Sequence, residues 1–181
     1  SNLNADNAYF WRKEGGELEC GVIDWGGFGV ACLGHKLWWC INCADFEHVR
    51  DHLSDYLTIY ASTYHEAGGP RLDLDVLRLQ VLLTSLGNTA FMVLAVPNCY
   101  TMCSMEEFAS IRDRKDPRVA ENIFGKSTLR TTLHVLDHGI RILEEMDGDE
   151  AMATFVKDVF KGAWGFEAKS KEVVWGPQPE E

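Results

Sequence analysis

The chain has 181 residues, 46% of them hydrophobic and 25% charged, and a formal net charge of −11. That length fits one domain able to bury a core without disulfides. The excess of acid argues against nucleic acid or an anionic membrane surface as a partner, since both are gripped by clustered Lys and Arg.

Ala8–Lys13 (AYFWRK) reads as an apolar and aromatic strand, Glu14-Gly15-Gly16-Glu17 as a turn, and Leu18–Trp25 (LECGVIDW) as the return strand of a β-hairpin. Gly26-Gly27-Phe28-Gly29 breaks the pattern. The remainder is helical. Gly34–Ala44 is apolar nearly all round and is expected to be buried. Phe46–Ala67 is amphipathic, with Val49, Leu53, Leu57, Tyr60 and Tyr64 at helical spacing, and Gly68-Gly69-Pro70 stops it. Leu72–Val96 reads as one long helix, capped by Asp73 and stopped by Pro97. Met105–Arg114 is a short helix capped by Ser104. Ser127–Met146 places Leu129, Leu133, Leu136, Ile140 and Leu143 on one stripe, and Asp149–Lys161 follows an Asp-Gly-Asp turn. The expected class is α+β, predominantly helical: a hairpin and then a helical bundle over residues 1–161, with an extended tail over 162–181. The longest apolar region, Ala90–Pro97, falls short of the roughly 18 residues of a membrane span, so none is expected.

Six cysteines occur, two of them as Cys40-x-x-Cys43 and two as Cys99-x-x-x-Cys103. Both pairs could serve a zinc site. The apolar setting of the first, LWWCINCADF, favours cysteines packed as small hydrophobes and kept reduced in an intracellular compartment. Three further patterns are decoys. Gly125-Lys126-Ser127-Thr128 resembles the end of a phosphate-binding loop, but Ala120 stands where that loop needs its first Gly, so a helix start is the simpler reading. Cys32 breaks the dinucleotide fingerprint after Gly29. His134 and His138 share the i, i+4 spacing of metal ligands, but their flanking leucines favour ordinary helix packing.

The chemistry-bearing pattern lies at the start. The opening Ser1-Asn2-Leu3-Asn4-Ala5-Asp6-Asn7 is followed, across the hairpin, by Ile23-Asp24-Trp25. This resembles the aminoglycoside phosphotransferase/choline kinase family, which carries H-x-D-x-x-x-x-N, a hairpin, and then I-D-[WFL]. The resemblance runs from Ser1 to about Leu94 and implies the C-terminal lobe of a kinase-like fold. It assigns Asn7 and Asp24 to magnesium under the phosphates of ATP, and Asn2 to the position of the catalytic Asp. Magnesium takes hard oxygen ligands and keeps several waters, so one amide and one carboxylate can suffice. Asn2 departs from the family: an amide cannot accept a proton as a carboxylate does, although it could still orient a hydroxyl. The family's His and its nucleotide-gripping N-terminal lobe would precede Ser1, so the chain reads as a partial or processed one.

Two functions compete. One is a non-catalytic, kinase-like interaction or structural subunit, whose open face is covered by another protein chain or by a missing N-terminal lobe. The other is a magnesium- and ATP-dependent phosphotransferase acting on a small hydroxyl- or amino-bearing molecule. A third reading makes the Ile-Asp-Trp coincidental and expects Asn7 and Asp24 to lie apart.

Overall fold

The structure, a computed structural model, describes residues 7–26, 29–112, 116–120, 122–123 and 127–160. It is α+β and mostly helical. Strands β1 (Ala8–Arg12) and β2 (Leu18–Val22) form an antiparallel hairpin, paired from Ala8↔Val22 to Arg12↔Leu18. The turn closes with Gly16 at a φ of 83°, a left-handed conformation that glycine adopts without a Cβ penalty.

Five helices make the body: α1 (Leu33–Ile41), α2 (Phe46–Glu66), α3 (Leu74–Val93), α7 (Leu129–Glu145) and α8 (Gly148–Thr154). Between α3 and α7 lie the short helices α4 (Val96–Met102), α5 (Met105–Ser110) and α6 (Pro117–Ala120) and a two-residue pairing of β3 (Asn122–Ile123) with β4 (Ser127–Thr128). A π-helical turn, Phe155–Phe160, follows α8, so the single helix expected over Asp149–Lys161 is two elements.

Helix α3 is the central strut, with α1, α2, α7 and α8 packed around it. Asp73 caps it as expected, its carboxylate accepting from Asp75 N–H at 2.9 Å and Val76 N–H at 3.1 Å. Val81 and Leu82 at its middle are wholly buried, against Trp38 and Ile41 of α1, Val49 and Leu53 of α2 and Ile142 of α7. Burying each such side chain contributes about 1.5–3 kcal/mol. By length and composition α3 is also the one helix among the described residues apolar enough to cross a membrane, with a mean hydropathy of 1.3. The sequence reading expected no such helix; only 28% of its apolar window is buried in the bundle, and Leu74, Val76, Phe91 and Val93 are exposed, so packing accounts for only part of that apolar character.

Two glycines set the helix spacing. At Gly34 a Cβ would fall 2.3 Å from Cβ of Gln80, and Gly34 N–H donates to Gln80 Oε1 at 3.0 Å. At Gly139 a Cβ would fall 1.9 Å from Oγ1 of Thr89. Both faces of α3 are therefore approached at backbone distance.

Several expectations are corrected. The helix expected over Leu72–Val96 ends at Val93, and Pro97 opens α4 in its first turn, where its missing N–H is no loss. The helix from Met105 ends at Ser110; its Ser104 cap holds, as a capping box with Glu107. The buried stripe of α7 runs through Leu129, Thr132, His138, Gly139 and Ile142, while Ile140 and Leu143 are exposed. Ser127 and Thr128 form β4, and α7 begins at Leu129. Cys40 and Cys43 are exposed; the buried pair is Cys99 and Cys103, in a second small cluster with Val119 and Leu129. The tail over 162–181 lies outside the described residues.

Candidate functional site

Two places on the molecule could carry function: the open end of the hairpin and a cavity in the helical body.

At the hairpin, Ile23 N–H donates to Asn7 O at 2.8 Å, extending the ladder by one step beyond Ala8↔Val22. Antiparallel register therefore brings Asn7 and Asp24, distant in sequence, to the same end of the hairpin. Asp24 sits at a φ of 55°, in the left-handed region that Asp enters more readily than most residues. Gly26 N–H lies 3.4 Å from its Oδ1, a long turn contact. Asp24 is exposed, so its carboxylate remains open to a ligand as well as to its own turn. One carboxylate and one amide are a donor set that suits magnesium, and Asn7 and Asp24 are the residues that would hold it. Asn2 and Asp6 lie outside the described residues. Among the described residues, no three His, Cys, Asp or Glu side chains cluster with metal-binding geometry.

Each face of the hairpin carries large apolar side chains together with one charged residue, Glu19 on the first and Arg12 on the second. Tyr9 and Trp11 share one face and stack, ring centroids 5.3 Å apart, with the Tyr9 ring lying over Gly21. Ala8, Phe10, Leu18, Cys20 and Val22 share the other. Among the described residues, the two strands pack chiefly on each other. Phe10 and Leu18 are each 62% exposed and Trp25 is 61% exposed.

The cavity, about 770 Å³, opens between the C-terminal end of α1, the C-terminal half of α3 and the first half of α7. Trp38, Trp39, Phe91 and Leu133 supply apolar walls, with Asp45 and Asp137 among the polar groups. Its walls are pinned. Trp39 Nε1–H donates to His35 Nε2 at 2.9 Å. His134 Nε2–H donates to Asn42 O at 2.7 Å. His138, 2% exposed, has its two ring nitrogens 2.9 Å from His134 O and 3.1 Å from Ala44 O. Burial pushes the His138 pKa down, and neighbouring His134 adds to this. The two histidines thus clamp the α1–α2 connection with nitrogens that a metal would need, in agreement with the packing reading of their spacing. A smaller cavity, about 380 Å³, lies beside α2; four of its charged residues form pairs, Arg50 with Glu145 at 2.8 Å and Arg78 with Asp147 at 3.5 Å, and Asp75 lines it as well.

Sequence reasoning missed the larger cavity. The Trp38-Trp39 doublet was its one local signal; the rest is assembled from residues as far apart in sequence as Trp38 and His138. No protein-family model, curated protein or solved structure matches the chain.

Proposed function

We propose that this chain is a non-catalytic, kinase-like module acting as an interaction or structural subunit. The observation that carries the reading is the hairpin, whose large apolar side chains, Tyr9 and Trp11 on one face and Phe10 and Leu18 on the other, are uncovered among the described residues. A lone two-stranded hairpin is marginally stable in water. Apolar side chains on both faces are the pattern of strands sandwiched between layers. Another chain, or an N-terminal lobe, would supply those layers. Asn2 at the base position supports the non-catalytic side, because an amide cannot take a proton from an acceptor hydroxyl.

The second reading, a magnesium- and ATP-dependent phosphotransferase, is favoured by one observation: the register pairs Asn7 with Ile23 and so puts Asn7 and Asp24 at the same end of the hairpin. Phosphoryl transfer needs positioning and charge neutralisation more than covalent help, and two oxygen ligands at one end of a hairpin could hold the metal for it. Titration calorimetry with magnesium and ATP separates the two. The subunit reading expects no binding at about 1 mM ATP, an affinity worth roughly 4 kcal/mol. Binding about tenfold tighter than that, lost in Asp24→Ala, would overturn it in favour of the enzyme.

A further inference from the structure

We infer that the cavity between α1, α3 and α7 is a binding site for a small aromatic compound bearing a protonated amine. The inference is independent of the hairpin, since no hairpin residue lines the cavity.

Size comes first. About 770 Å³ lies within the range that accepts a compound of drug-like dimensions. Shape and rigidity follow. The indole of Trp39 is fixed by its bond to His35, and Trp38 is 4% exposed and packs edge-on to His138 at 6.2 Å between ring centroids. Such walls are set before a ligand arrives, which lowers the ordering cost of binding. A flat ring suits them, and Phe91, 69% exposed at the cavity mouth, offers a further aromatic face.

Charge selects among flat rings. Among the described residues, the carboxylates of Asp45 and Asp137 and the guanidinium of Arg130 line the cavity, and Asp137 is exposed. His134 Nε2 and both ring nitrogens of His138 are engaged by backbone carbonyl oxygens, so they are not open to a ligand. The faces of indole and phenyl rings carry negative potential and attract cations. The whole chain, at −11, adds a field of the same sign. Wall, lining charge and overall charge all favour a cation over an anion.

The test compares two probes that share a ring and differ in charge: tryptamine, cationic, and indole-3-acetate, anionic. Each is titrated into the full chain by calorimetry, with saturation-transfer NMR to register weak contact. Asp137→Asn and Phe91→Ala alter exposed side chains, so loss of folding does not confound them. The expected result is tryptamine binding below about 1 mM, roughly tenfold tighter than indole-3-acetate and weakened severalfold by at least one of the two substitutions. Absence of tryptamine binding, equal or tighter binding of indole-3-acetate, or tryptamine binding unchanged in both variants would overturn the inference.

Discussion

Gly139 shows how much one missing side chain can decide. Thr89 of α3 occupies the space its Cβ would need, with Oγ1 and Cγ2 at 1.9 and 2.3 Å. Thr89 in turn donates its hydroxyl to Ser85 O at 2.9 Å, so it cannot swing away without losing that bond. Gly139→Ala should lower stability by about 1–3 kcal/mol through overpacking, read as a shift in the urea midpoint. Thr89→Ala in the same chain removes the two nearest atoms and should recover part of the loss. His138 gives a pH signature. Its folded pKa lies below the ordinary 6.5, chiefly through burial, so as pH falls through about 6.5 the unfolded chain takes up a proton that the folded chain resists. Stability should therefore be present in full above that pH and decline below it. Urea midpoints at pH 7.5 and 5.5 check this, and the His138→Gln variant should show a smaller difference between them.

At the scale of elements, the parts of the fold that announce themselves in sequence are those whose physics is local. The hairpin was legible from Gly15-Gly16 between two apolar runs, α2 from Val49, Leu53 and Leu57, and the start of α3 from Asp73. The orientation of α7 was not. Its leucine and isoleucine pattern points to one stripe, but close approach at Gly139 and the His138 bond to Ala44 O turn another stripe inward. Only the identity of the partner helix could reveal that. Pro97 misled for a related reason: proline ends one helix or begins the next, and the residues on either side do not say which. The candidate metal pair was legible as spacing, and the cavity was not, because its walls come from three helices. The hairpin, held among the described residues by its ladder and by contacts between its own side chains, should exchange its amide hydrogens far faster than α3. Hydrogen exchange with mass-spectrometric readout checks this; protection of residues 8–22 equal to that of 77–86 would mean that a layer covers the hairpin in solution.

On the scale of the whole molecule, the helical body closes on itself. Its main cluster draws on α1, α2, α3, α7 and α8, and no hairpin residue belongs to it. An ion-pair clasp reinforces the outer seam: Arg141 reaches Glu47 at 2.6 Å and Glu145 at 2.8 Å, and its guanidinium lies 4.0 Å from the centre of the Phe46 ring. These groups are solvent-exposed to differing degrees, so the clasp steers the meeting of α2 and α7 more than it stabilises it.

The separation of hairpin from core has a consequence for how such a chain can change over time. Phe10 and Leu18 do not belong to the main cluster, so the exposed surface they make can drift, or be exchanged for another, without a compensating change among the helices. The exposed apolar surface of the hairpin and the residues of the main cluster lie in different stretches of one polypeptide, and selection can act on each without disturbing the other.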